Sequence, residues 1–128
     1  MTETVRNMTG RRGEDAACAY LEALGHSLVA RNWRSSHKEV DIISLFGDEL
    51  HFVEVKTRRS SDFVSPEVNV TRAKMSNVIS AAKSFLHSAS ARNLPRNLEI
   101  LFDVVTVVLE GNEPEITYYP NAYKAIYV

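Results

Sequence analysis

The stretch KEVDIISLFGDELHFVEVKTR, residues 38–58, sets strand-forming residues on both sides of a Gly-Asp pair, and its reading decides the fold. Gly47-Asp48 suits a two-residue hairpin turn, with glycine supplying the positive φ that a type II′ turn needs at its first central position. Phe46 then faces Glu49, and the same register places Asp41 opposite Glu54 and Glu39 opposite Lys56. Side chains alternate between the faces of a strand. One face of the hairpin is therefore apolar near the turn and charged at the far end, while Val40, Ile42, Val53 and Val55 on the other face read as core.

Two carboxylates directly opposite each other, with Cβ atoms roughly 5 Å apart, destabilise a sheet unless something neutralises them. A divalent cation would do so, and Mg²⁺ favours one or two carboxylates together with waters and phosphate oxygens. Lys56 is expected about 6.5 Å further along the same face, within reach to orient or help deprotonate an attacking water. That equipment suits hydrolysis of a phosphodiester. The pattern alone also fits a solvated strand end with a weak Glu39–Lys56 ion pair.

Outward from the hairpin, GEDAACAYLEALG carries small and apolar residues at helical spacing and ends on Gly25 as a C-cap. HSLVARNW reads as a strand and SSH as a turn. After the polar loop RRSSDFVSPE, residues Met75, Val78, Ile79, Ala82, Phe85 and Leu86 predict a helix capped by Thr71 or Asn69. LEILFDVVTVVL and ITYYP are expected strands joined by the turn EGNEPE. The order α-β-β-β-α-β-β, with a helix crossing between strands, predicts an α/β domain with helices packed on a mixed sheet.

The 128 residues suit one domain, taken as residues 1–128 with 1–9 flexible. A composition 45% hydrophobic and 24% charged is that of a globular protein. The lone Cys18 precludes an intramolecular disulfide and no stretch has the length of a membrane span, so a cytoplasmic protein with no membrane partner is expected. The net charge of −1 provides no global field for nucleic acid, although arginines and lysines concentrate in the first half.

In order and spacing, GRRGEDAACAYLEALGHSLVARNWR, EVDIIS, FVEVKTR, VTRAK and FDVV resemble the YraN-like family of bacterial predicted endonucleases, distant relatives of archaeal Holliday junction resolvases. The resemblance runs from Gly10 to the NAYKA near the C-terminus. It implies the restriction-endonuclease-like fold, with Mg²⁺ or Mn²⁺ held by Asp41, Glu54 and the main-chain carbonyl of Val55. It further implies that Asp41, Glu54 and Lys56 are catalytic, Glu14 is an additional acid, Glu39 is an accessory residue, and the protein is a homodimer. Lys38, Leu101 and the pair Phe63-Val64 depart from the family pattern, in loops and substrate contacts rather than at the proposed metal ligands.

The expected function is thus a metal-dependent endonuclease acting on DNA, including branched DNA such as a Holliday junction. Alternatives are a non-catalytic or weakly catalytic nucleic-acid-binding module on the same fold and a metal-dependent phosphatase or nucleotide hydrolase. Arg58, Arg59 and Lys74, which flank the proposed site in sequence, are the expected contacts to DNA phosphates, and Arg34, with Arg31 and Asn32, is a further candidate. Asp103 reads as a buried carboxylate held by internal donors, Trp33 as packing at the sheet edge, and Cys18 as a partly buried thiol. The four histidines, without metal-ligand spacing, are expected at surface or half-buried positions.

Overall fold

The computed structural model describes residues 5–59 and 71–125. Helix α1 (Val5–Ala23) leads into a meander of β1 (Ser27–Ser35), β2 (Lys38–Phe46) and β3 (Glu49–Arg59). Helix α2 (Arg72–Leu86) and a 3₁₀ turn (Ala89–Ala91) then connect to β4 (Glu99–Glu110) and β5 (Glu113–Tyr123). The expected α/β order is the observed one. Much of the loop 58–67, the alternative cap Asn69 and the pair Phe63-Val64 lie outside the described residues.

The five strands form one mixed sheet in the order β1-β2-β3-β4-β5. Only β3 and β4 pair in parallel, from Glu49↔Glu99 to Arg59↔Leu109, and α2 makes the crossover that parallel pairing requires. The hairpin has the predicted register from Phe46↔Glu49 to Ile42↔Val53, with Gly47 at φ +59°.

Each helix covers one face. Ala17, Cys18 and Leu21 of α1 pack on Ile42, Val53, Val105 and Val107. Val78, Ile79, Ala82 and Phe85 of α2 pack on Ile43, Leu50, Phe52 and Phe102. Both faces of the hairpin are therefore buried near the turn, each against its own helix, whereas the sequence pattern assigned core to a single face.

Local chemistry fixes the ends of these helices. Thr71 caps α2, its Oγ1 accepting from the Lys74 amide at 3.2 Å. Helix α1 ends at Ala23 and is closed by Gly25, φ +106°, where the His26 amide donates to the Leu21 carbonyl and the Gly25 amide to that of Glu22. At its other end α1 starts at Val5, well before Gly13, so residues 5–9 are helical. Arg59 helps explain this, since its Nε and Nη2 donate to Thr9 Oγ1 at 3.3 and 3.1 Å. Where α1 crosses β3 the approach is close: a Cβ built on Gly13 would stand 1.7 Å from Thr57 Oγ1 and 2.7 Å from Thr57 Cβ.

Strand pairing is irregular at a register shift between Leu28 and Ala30 where β1 meets β2, and beside two aspartates. β1 and β2 pair at Arg31↔Ile42 and again at Trp33↔Val40, passing over Asn32 and Asp41, and Asn32 has φ +50°. The hairpin ladder also stops at Ile42↔Val53. Val40 consequently joins the α2 cluster although Ile42, two residues on, joins the α1 cluster, a switch that regular alternation forbids. The second interruption is a register shift between Phe102 and Val104 where β4 meets β5.

Candidate functional site

The expected pairs Asp41 opposite Glu54 and Glu39 opposite Lys56 are not ladder pairs, because β2 and β3 part company beyond Ile42 and Val53. In their place the Asp41 carboxylate reaches across the gap, its Oδ2 accepting from the Val55 amide at 2.8 Å. A side chain thus satisfies a main-chain donor that the broken ladder leaves over. Glu39 turns the other way: it lies opposite Arg34 on β1 and accepts from Arg34 Nε at 3.1 Å. That pair replaces the expected one with Lys56.

The bond from Asp41 sets its carboxylate at the residue between Glu54 and Lys56. Burial pushes the Asp41 carboxyl up to about 7 despite the Val55 amide, and the negative charges of Glu14, Glu39 and Glu54 push in the same direction. Glu54 is buried, with Oε2 lacking any hydrogen-bond partner among the described residues and Oε1 3.4 Å from Lys74 Nζ. Burial lowers the Lys56 ammonium below its ordinary value, Lys74 and Arg58 repel it further, and Glu54 opposes them.

Three different elements supply these groups. Glu14 comes from α1 and meets Arg31 Nη2 at 3.6 Å, while its neighbour Asp15 meets the same nitrogen at 2.9 Å. Lys74 comes from the first turn of α2, whose start is fixed by the Thr71 cap. Of the expected phosphate contacts, Lys74 reaches Glu54 and Arg58 carries a buried Nη1 without a partner among the described residues. Arg34 and Arg59 are engaged with Glu39 and Thr9.

Among the described residues no three His, Cys, Asp or Glu side chains converge on a point that would hold a metal ion. The donors present are oxygen atoms, two carboxylates and the Val55 carbonyl, which suit a hard cation completed by water and phosphate rather than an all-protein cage. The orphaned Glu54 Oε2 and the raised Asp41 carboxyl are the two features that such a cation would relieve.

A second polar cluster, not anticipated from the sequence, lies toward the turn end of the hairpin. His26 and His51 are both buried, contrary to the expected surface or half-buried positions. His51 Nδ1 meets Asp103 and its Nε2 meets Glu49 at 2.9 Å, while His26 Nδ1 meets Ser44 Oγ at 2.9 Å. The Tyr118 hydroxyl and the Asn121 amide also donate to Asp103, which is wholly buried. Asp103 is thus the internally held carboxylate that its strand pattern suggests. Trp33 packs edge-to-face on Phe85, and Cys18 is a buried thiol raised by that burial. A cavity of about 480 Å³ between α2 and the strands β4 and β5 is lined by none of the candidate residues.

Residues 13–107 match the model of a family described as uncharacterised protein family UPF0102. The chain belongs to the UPF0102 family. It is 43% identical over 106 residues to a UPF0102 protein of Oleidesulfovibrio alaskensis, covering 83% of this chain and 50% of that relative. To UPF0102 proteins of Rhodococcus jostii and Syntrophomonas wolfei it is 41% and 40% identical, over 89% of its own length and 94% and 96% of theirs. The chain spans half the length of the first relative and nearly all of the other two. The UPF0102 match contains Glu14, Asp41, Glu54, Lys56, Lys74 and Asp103, and it begins at Gly13. No described helix is long and apolar enough to cross a membrane.

Proposed function

We propose that this UPF0102 protein is a metal-dependent endonuclease that hydrolyses phosphodiester bonds in DNA, with branched or otherwise structured DNA as its substrate. The observation that carries the reading is the break in the sheet at Asp41. It brings that carboxylate onto the Val55 amide, between Glu54 and Lys56, with its acidity weakened by burial and by three neighbouring acids.

In this reading Asp41, Glu54 and the Val55 carbonyl would hold Mg²⁺ or Mn²⁺, with Glu14 in support. The bound ion would supply a Lewis acid for the scissile phosphate and charge to offset the carboxylates. Lys56, its ammonium easier to deprotonate than usual, orients the attacking water and balances charge developing on the phosphate. Hydrolysis joins the water oxygen to phosphorus and breaks one ester P–O bond, and the departing oxygen takes up a proton. Lys74 and Arg58 supply cations for flanking phosphates.

One observation favours the second reading, a binding module without catalysis: Lys74 already neutralises Glu54 by an ion pair at 3.4 Å. Cleavage assays separate the two. Single-stranded, duplex, flapped and four-way-junction DNAs are incubated with Mg²⁺ or Mn²⁺ and wild type, Glu54→Ala or Lys56→Ala. The endonuclease reading expects cleavage by the wild type alone. DNA binding without cleavage under either ion would leave the binding module in its place, and cleavage of nucleotides but not DNA would point to a phosphatase.

A further inference from the structure

We infer that Gly13 is a positioning residue: the absence of a side chain there sets how deeply α1 seats on β3, and that seat sets the position of Glu14, the next residue of the helix. The inference rests on the proposed metal site and extends it to a residue that has no side chain.

The geometry is specific to this one glycine. A Cβ on Gly13 would fall 1.7 Å from Thr57 Oγ1 and 2.7 Å from both Thr57 Cβ and Cγ2. Carbon atoms in contact stand roughly 3.5–4.0 Å apart, so the clash involves the root of a β-branched side chain fixed to the central strand and no rotamer change relieves it. Gly10, one turn earlier on the same helix, has nothing within 4 Å of its built Cβ. Helix propensity favours alanine over glycine at both positions. At Gly10 that preference meets no obstacle. At Gly13 it is opposed by contact with β3, two residues beyond Val55, whose amide binds Asp41.

Glu14 follows Gly13 directly, so any retreat of α1 from Thr57 carries Glu14 with it. The other tie on Glu14, its 3.6 Å contact with Arg31, involves a partly exposed guanidinium that binds Asp15 more closely, and it does not fix the depth of the helix. Below this point α1 is held by Ala17, Cys18 and Leu21, so a bulkier residue 13 tilts the helix end that bears Glu14 while the core contacts remain.

The test compares wild type, Gly10→Ala, Gly13→Ala, Thr57→Gly and the double variant Gly13→Ala/Thr57→Gly, by thermal unfolding and by calorimetric titration with Mn²⁺. Gly13→Ala is expected to lower the unfolding temperature by about 10 °C. Its Mn²⁺ affinity should fall by about tenfold to a hundredfold, as for other groups that orient metal ligands. Gly10→Ala should match or exceed the wild type in unfolding temperature. The double variant should regain both properties beyond the sum of the single changes, because removing the Thr57 side chain readmits the methyl group. That rescue tests the seat even if Gly13→Ala alone fails to fold. Wild-type behaviour of Gly13→Ala, or simple additivity in the double variant, would overturn the inference. A wild type that binds no Mn²⁺ yet shows the rescue in unfolding temperature would sink the metal site and sustain the seating of α1.

Discussion

Asp41 and Asp103 each stand where strand pairing is interrupted, and their surroundings differ in the number of donors. Asp103 receives the Tyr118 hydroxyl and the Asn121 amide and contacts the His51 ring, whereas Asp41 receives the Val55 amide. Asp103 is therefore a structural carboxylate and Asp41 an undersatisfied one. An acid whose folded-state pKa is raised contributes stability that is present below its ordinary pKa of 3.8 and lost as pH rises through about 7. Asp41→Asn retains an oxygen for the Val55 amide and removes the charge. Its unfolding free energy at pH 8 should exceed that of the wild type by roughly 1–3 kcal/mol, with no gain at pH 4, while Mn²⁺ binding is lost. Chemical denaturation at the two pH values checks the sign. His51 follows the same sign as a cation. Burial disfavours its charged ring, but Asp103 and then Glu49 outweigh burial and raise its pKa. Its contribution is present below the ordinary 6.5 and lost as pH rises through the higher folded value. A nitrogen-detected NMR titration should place its midpoint above 6.5, and His51→Gln should cost roughly 3 kcal/mol at pH 6 by leaving Asp103 short of a charged partner.

At the scale of single elements, the hairpin and α2 were legible because their signals are local. The Gly47-Asp48 turn fixes the register over the five pairs nearest to it, and Thr71 lies three residues before the amide that it caps. The break at Asp41 was not legible. It depends on Asn32 adopting a left-handed conformation in the neighbouring strand, which no alternation within residues 38–58 expresses. The same limit hid the buried histidines, since His26, His51 and Asp103 meet only when three separate segments come together. Of the site itself, the Glu54-x-Lys56 spacing was readable, but the approach of Lys74 to Glu54 across the crossover was not. The first turn of α2 carries Arg72 and Lys74 and no acid, which opposes the helix dipole and leaves the Thr71 hydroxyl as a main support of that end. Thr71→Ala should lower stability by about 1 kcal/mol in urea unfolding and loosen the turn that bears Lys74, whereas Thr71→Ser should be near neutral.

Over the whole molecule the charges nearly cancel, so DNA affinity in the proposed function must come from a small basic rim and not from net attraction. If Lys56, Arg58 and Lys74 are the phosphate contacts, the logarithm of the binding constant should fall with the logarithm of salt concentration with a slope of about −3, measured by fluorescence anisotropy. A slope much steeper would bring in Arg11, Arg12 or Arg34. The parallel pairing of β3 with β4 has a consequence for synthesis. Glu49 to Arg59 find their partners fifty positions later in the chain, at Glu99 to Leu109. Translation at 5–20 residues per second leaves one flank of β3 uncovered for roughly 3–10 s after it emerges. During that interval the nascent meander β1-β2-β3 presents a strand bearing Phe52, Val53 and Val55 with open hydrogen-bonding groups, the kind of edge that chaperones engage and that other strands invade. Glu54 and Lys56 interrupt this apolar run, so the charges proposed for catalysis also guard the unfinished chain against aggregation.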